Sequence, residues 1–363
     1  MFQHFRSFFA RYPNIDGNTF LLWEPCSASH REILPGFASY LLHLGYRVVV
    51  ICAPSPNDQG LFDRLTHPNL EHVYLPRWRV RQLFSSPDIT QAAGVMITTA
   101  GKLPKRQDGY YDLDRLFPAG RSRCLAVVEH DAAKLIACNQ WNPHIITLRK
   151  VNGCDANSVV VNPHRFGSVQ NHPKGQVPQF LVVGAARSAR RNQNMIYDAV
   201  RRLHGRGLTN FAVRVVGKLG GEPIPADLST AINMLGPVSF SRLYQEAEQS
   251  DFILTSFQEN NADHAFYRTT GTSGAFQLAY GFHRPMILQK SFAEGTPLNS
   301  DNALFYGSDD QLFDAMLTAI EMSQADYAHM QTNLTGAVDA LWSESLENLR
   351  TYINEYSDRF LFR

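Results

Sequence analysis

What this chain lacks narrows what it can be. Its five cysteines (Cys26, Cys52, Cys124, Cys138 and Cys154) are odd in number and widely spaced, with no C-x-x-C pair. Neither a disulfide framework nor a structural zinc site is indicated, and reduced thiols in a cytoplasmic setting are expected. No apolar run reaches the roughly 20 residues needed to span a bilayer. The start, MFQHFRSFFARYP, has arginines interrupting its apolar residues and no small-residue cleavage site, so it does not read as a secretory signal. An excess of one charge is also missing: 34 Lys and Arg against 33 Asp and Glu leave +1, so no nucleic-acid partner is expected. No G-x-G-x-x-G follows a first strand, and no phosphate loop carries the Walker lysine. A dehydrogenase is thereby disfavoured, and neither a cofactor nor a metal is expected. No short repeat of fixed period suggests a solenoid.

What is present points to two α/β domains. A chain of 363 residues, 44% of them hydrophobic, exceeds the size at which a single core usually stops growing. Residues 1–172 carry 18 Lys/Arg against 13 Asp/Glu, or +5, and the remainder carries 16 against 20, or −4. Each half opens on one pattern of strand, helix and strand. In the first, TFLLW (19–23) leads into helical spacing over 31–44 and the β-rich run 46–52; in the second, FLVVG (180–184) leads into 194–204 and FAVRVVG (211–217). Near-continuous apolar strands such as 48–51, 125–128 and 213–216 suggest parallel sheets covered on both faces. The stretch 162–179 is rich in Pro, Gly, His and Asn and reads as a linker. The expected division is an acceptor-side domain at 1–172, a nucleotide-binding domain at 173–336 and terminal helices at 337–363.

Open parallel sheets bind ligands at the carboxyl ends of their strands, where a helix N-terminus offers unpaired N–H groups to phosphate. Two loops of the second half suit that use. The loop 185–192 places Arg187, Arg190 and Arg191 beside a helix start, where guanidinium groups match a diphosphate; a solvated basic loop is the plainer alternative. The loop 267–274 ends in Thr270, Gly271, Thr272, Ser273 and Gly274 before another apparent helix. Glycines there let the backbone come close while hydroxyls and amides meet phosphate oxygens, and an ordinary Ser/Thr cap is again the alternative.

The order of features over 180–334 resembles the nucleotide-binding domain of family 4-like, group 1 glycosyltransferases. It runs from strand, Gly-Arg loop and helix to VVG, then Leu235-Gly-Pro-Val238, Ser256, Glu259 and a Gly-x-x-x-Pro segment at 281–285. The resemblance implies the GT-B arrangement, two Rossmann-like doubly wound domains facing each other across a cleft. It further implies that Arg187 and Arg191 hold a donor diphosphate, that Gly236 and Val238 lie near the nucleotide base, and that Ser256 and Glu259 lie near the donor sugar, where Glu259 is a catalytic candidate. One departure stands out: where that family has a second, ribose-binding glutamate, Gln277 or Leu278 stands here.

In the first half, the run 124–128 ends in Glu129, His130 and Asp131. In the same family a histidine at that strand end lines the cleft near the transferred sugar, which makes His130 the principal catalytic candidate. An unperturbed histidine titrates near 6.5, and any of the three could take the acceptor's proton; a cluster capping the next helix is the alternative. His30 and Glu32, after the first strand, are candidates for the acceptor, although Ser29 with Glu32 also forms a capping box. Segments 1–12 and 75–84 mix aromatics with arginines, as surfaces that dock on anionic lipid do.

The function expected is sugar transfer from a nucleotide-sugar donor to a glycan or glycolipid hydroxyl, in bacterial-type polysaccharide, lipopolysaccharide or lipid-linked glycan synthesis, at the inner face of the plasma membrane. A GT-B-shaped sugar-nucleotide epimerase and a non-catalytic sugar-nucleotide-binding protein are the competing readings.

Overall fold

The computed structural model describes residues 11–26, 30–55, 58–105, 107, 112–118, 120, 124–133, 144–151, 159–184, 192–218 and 224–360. It separates into two compact units, Met1–Gly167 with Trp342–Arg363, and Ser168–Leu341. The division at residue 168 lies inside the Pro- and Gly-rich stretch 162–179, which forms neither helix nor strand between Val161 and Pro178.

The first unit is built on seven parallel strands: β1 (Thr19–Glu24), β2 (Arg47–Cys52), β3 (Leu70–Tyr74), β4 (Gly94–Ile97), β5 (Leu125–Glu129), β6 (Ile145–Thr147) and β7 (Val159–Val160), in the order 3-2-1-4-5-6-7. Every residue of TFLLWE in β1 is buried, as a central strand between helical layers must be. The order reverses beside β1, so the carboxyl ends of β1 and β4 flank the switch point where doubly wound sheets take their ligands. Helix α1 (Leu34–His43) follows a 3-10 turn at Arg31–Ile33, and α2 (Arg77–Phe84) follows β3. The segment 75–84 is therefore mostly helical, and its Val80, Leu83 and Phe84 are buried in the core that also holds Trp23 and Ile97. A short helix, α3 (Leu113–Leu116), precedes β5.

The second unit repeats the topology with six parallel strands: β8 (Gln179–Val183), β9 (Ala212–Val216), β10 (Ile232–Gly236), β11 (Phe252–Leu254), β12 (Met286–Gln289) and β13 (Ala303–Tyr306), ordered 10-9-8-11-12-13. Its helices are α4 (Gln193–Gly205), α5 (Phe240–Gln249), α6 (Ala265–Thr269), α7 (Gly274–Gly281) and α8 (Leu312–Glu321). Apolar faces of α4 and α8 close over β8, β9 and β10 in one continuous core. At its base, the Asp251 carboxylate accepts the backbone N–H groups of Gly175 and Gln179 at 2.8 and 2.7 Å. The fully buried Arg284 donates to the carbonyls of Ala247 and Glu248. The end of α5 is thereby satisfied, since a helix leaves its last carbonyls unpaired.

The expected terminal helices at 337–363 take a different form. A single helix, α9 (Gln324–Phe360), begins well before residue 337, and the division between the units falls within it, at Trp342. Its later turns belong to the first unit, where Trp342 stacks on Tyr40 and Tyr352 donates to the carbonyl of Leu125.

Candidate active site

In the first unit, the carboxyl ends of β1, β4 and β5 carry a compact polar group. Glu24, the last residue of β1, is almost wholly buried. Its carboxylate accepts the hydroxyls of Thr98 and Thr99 at 2.7 and 2.8 Å and the backbone N–H of Cys26. Thr98 is also held through its backbone N–H, which donates to the Trp23 carbonyl at 3.0 Å, continuing the pairing of β1 with β4. On its other side, His130 Nε2 lies 2.7 Å from the Thr98 carbonyl. The His30 ring sits 4.2 Å from the His130 ring, centroid to centroid. His30 has a φ of 69°, an uncommon conformation for a residue other than glycine.

These positions set unequal proton affinities. Burial, offset only in part by the Thr98, Cys26 and Thr99 hydrogen bonds and reinforced by Glu32, pushes the Glu24 carboxyl up to about 7. Burial and the adjacent His30 lower His130 to about 3. His130 therefore departs from the 6.5 of an unperturbed histidine: burial favours its neutral imidazole, and favours the protonated carboxyl of Glu24. The two acids beside His130 serve the turn. Glu129 accepts the N–H of Asp131 at 3.1 Å, and Asp131 accepts that of Ala133 at 3.0 Å, as a cap does. His30 and Glu32 lie at this same edge. His30 occupies the N-cap of the 3-10 turn without a capping side-chain bond, and the capping partner Ser29 is outside the described residues. Nearby, a buried ion pair joins Arg31 to Asp58, and Cys52 Sγ lies 3.0 Å from His72 Nε2.

In the second unit, β8 and β9 each lead into a glycine, Gly184 and Gly217, and β10 ends on Gly236. Gly217 has a φ of 143°, and a Cβ there would come within 2.0 Å of the Gly184 carbonyl oxygen. Only glycine lets these two strand ends pass so closely. Gly217 N–H donates to Gly236 O at 3.0 Å, so the three loops start from one locked edge. Arg187 and Arg191 lie outside the described residues; the helix they precede, α4, begins with Asn192 accepting the N–H of Met195. Val238 is half-buried in the loop between Gly236 and α5.

The loop after β11 is tightly held. Tyr306 donates to the Thr255 carbonyl at 3.0 Å, His264 Nδ1 accepts the N–H of Gln258 at 2.9 Å, and Gln289 Oε1 accepts that of Glu259 at 2.9 Å. Glu259, proposed from sequence as catalytic, is exposed and paired with Arg268 at 2.9 Å. The loop expected at 267–274 is shorter, because α6 extends to Thr269. The turn 270–273 follows, with Ser273 capping α7 through the N–H of Ala275. The Phe257 ring lies 4.9 Å from Tyr267 and 6.1 Å from Phe276, which brings the 256–259 loop against both helices. Two fully buried polar groups there find no hydrogen-bond partner among the described residues: Ser256 Oγ, and both amide atoms of Gln277. An unsatisfied buried polar group costs about 1 to 3 kcal/mol.

Sequence reading did not single out Glu24, Thr98, Thr99, Gln289 or Arg268. Glu24 alone left a signal, as an acid closing an otherwise apolar strand.

Comparison with solved structures places this architecture. A glycosyltransferase involved in avilamycin A biosynthesis aligns at 14% identity over 95% of this chain and 98% of its own, with a TM-score of 0.58. A glycosyltransferase from Rickettsia africae ESF-5 aligns at 14% over 97% and 100%, with a TM-score of 0.56. A lipopolysaccharide outer core galactosyltransferase in its apo form aligns at 11% over 93% and 99%, with a TM-score of 0.52. No family model matches the sequence, and no curated protein matches it. The chain has the two-domain Rossmann-like GT-B fold.

Glu24 has a measurable consequence. Its folded-state value of about 7 lies above the ordinary carboxyl value of 4.5, so the folded protein holds this proton more tightly than the unfolded chain does. The stability it confers is complete below pH 4.5 and is lost as pH rises through 7. Urea unfolding followed from pH 5 to 8 should show wild type losing stability relative to Glu24→Gln, by about 1.4 kcal/mol per pH unit at most. Parallel profiles for the two proteins would show that Glu24 does not titrate in this range.

Proposed function

We propose that this protein transfers a sugar from a nucleotide-sugar donor to an acceptor hydroxyl, in the synthesis of a bacterial-type polysaccharide, lipopolysaccharide or lipid-linked glycan. The observation that carries the reading is the pair of unpartnered buried groups, Ser256 Oγ and the Gln277 amide, on the loop and helix that follow the switch-point strand β11. The nucleoside diphosphate is assigned to the carboxyl edge of the second unit, between the 185–191 loop and the 270–274 turn. Arg187 and Arg191 supply charge, and Thr270, Gly271, Thr272, Ser273 and Gly274 supply hydroxyl and N–H donors at the start of α7. Gly236 and Val238 are assigned to the base, and Ser256 and Glu259 to the sugar. His130, with Glu129, Asp131, His30 and Glu32 beside it, forms the acceptor-side group. With the diphosphate charge met by arginines and helix N-termini, the hexosyl transfer is assigned as metal-independent.

A lipid-linked acceptor is supported by one surface. Among the described residues, the exposed large hydrophobic side chains are Tyr12, Trp78 and Val177. Tyr12 and Trp78 both belong to the neighbourhood of α2, where the Arg79 guanidinium stacks over the Tyr12 ring at 4.4 Å and Tyr12 donates to Gln82. Helix α2 carries Arg77, Arg79 and Arg81 and no acid, and Arg77 donates to the carbonyl of Pro25, in the loop just after Glu24. We assign this face to an anionic membrane surface. Residues 1–10 of the other aromatic segment lie outside the described residues, and no described helix is long and apolar enough to cross a membrane.

Two experiments test the reading. In calorimetry with UDP, GDP and ADP, at least one should bind, and Arg187→Ala and Arg191→Ala should each weaken it by about 10- to 100-fold, the worth of a charge-assisted hydrogen bond, while Ser256→Ala should weaken the matching nucleotide sugar by as much. Transfer should persist in EDTA. Unchanged affinity in all three variants, or activity lost to EDTA and restored by magnesium, would refute the assigned site. In vesicle co-sedimentation, binding to phosphatidylglycerol-containing vesicles should exceed that to pure phosphatidylcholine, and Trp78→Ser with Arg81→Ser should lower it by at least about 5-fold. Equal binding to both vesicle types would remove the membrane assignment.

A further inference from the structure

The polar group at the first unit's edge contains a carboxylate that touches none of the residues proposed to meet substrate. Glu24 receives hydrogen bonds from Thr98, Thr99 and Cys26, and what these bonds fix is the Thr98 peptide. Its N–H donates to Trp23 O, its hydroxyl to Glu24, and its carbonyl lies 2.7 Å from His130 Nε2. A carbonyl oxygen can only accept. Nε2 must therefore carry the ring proton, and in a neutral imidazole the other nitrogen, Nδ1, is then the acceptor. The charged and titratable groups around the pair are His30 against the His130 ring, Glu129 and Asp131 on either side of it, and Glu32 and Cys52 near Glu24.

We propose that Glu24 is a positioning residue for the transfer reaction: by holding Thr98 and Thr99 it aims the Thr98 carbonyl at His130, commits that ring's single proton to Nε2, and leaves Nδ1 to accept a hydrogen bond from a substrate hydroxyl. His130 is then a neutral acceptor and not an imidazolium donor. A donor-type His130 would need the proton on the nitrogen facing substrate, and the Thr98 carbonyl holds it on the other one. The final step of this inference rests on the transferase reading given above, whereas the tautomer does not.

The experiment reads the tautomer directly. In 15N-histidine-labelled protein, long-range proton–nitrogen correlation distinguishes the two neutral tautomers from imidazolium, and His130→Gln identifies the His130 signal. Wild type should show His130 neutral with the proton on Nε2 at pH 8, where the Glu24 carboxylate is ionised. In Glu24→Gln, whose amide nitrogen cannot accept, the signal should move toward a tautomer mixture. With a donor that the protein turns over, kcat should fall by up to about 10²-fold, with the donor KM within a few-fold of wild type. Should Glu24→Gln fail to fold, Thr99→Val, which removes one of the donors to Glu24, should show the same changes at smaller size. A wild-type His130 that titrates near 6.5, or carries its proton on Nδ1, overturns the proposal. So does a variant that is less stable but keeps the wild-type tautomer and kcat. If no nucleotide sugar is turned over, the transferase reading falls, and the spectrum still decides what Glu24 does to His130.

Discussion

Parallel strands cannot be joined by tight hairpins, so each must be followed by a crossover that returns the chain to the same starting edge. In this protein every strand pair is parallel, and all the loops that leave strand ends in one unit therefore emerge along one edge. That constraint explains why residues as far apart in sequence as Glu24, Thr98 and His130 meet: they follow β1, β4 and β5, which are adjacent in the sheet. The second unit obeys it too. Gly184, Gly217 and Gly236 stand side by side because β8, β9 and β10 do.

Where a polar group of such an edge is buried, its chemistry is set by that burial. Glu24 and His130 show the two directions. Loss of water disfavours the charged form of each, raising the carboxyl to about 7 and lowering the imidazole to about 3. The histidine is left neutral with a fixed tautomer, and the carboxyl is left responsive near neutral pH. In the second unit the same burial acts on uncharged groups, Ser256 Oγ and the Gln277 amide, which have no protonation to shed and stay without a hydrogen-bond partner among the described residues.

The elements that sequence made legible are those fixed by local pattern. The run RVVVIC and the stretch FLVV can hardly be anything but buried strands, and both are found within a residue or two of the expected limits. The Gly and Thr/Ser signals around Ser273 marked a real helix cap. What escaped was what depends on distant partners. Nothing local in Glu24 says that Thr98 and Thr99 will meet it from β4, because those residues lie some 75 positions away. Glu259 carried the family's pattern, and its pairing with Arg268 across the α6 turn had no signature of its own. In sequence, helix α2 presents as an aromatic and basic segment because Arg77, Trp78, Arg79 and Arg81 obscure the buried stripe of Val80, Leu83 and Phe84. The long α9 was truncated because its weak amphipathic pattern serves two cores in turn.

The central claim is that the carboxyl edge of the second unit is a nucleotide-sugar site, and hydrogen–deuterium exchange with and without a nucleoside diphosphate tests it most directly. A ligand bound only to the native state slows the openings of the segments it holds. Protection should appear over 184–192 and 270–277, while the opposite edge at 174–176 and 207–210 stays unchanged. Protection confined to that opposite edge, or none with any of the uridine, guanosine or adenosine diphosphates at saturating concentration, would contradict the account.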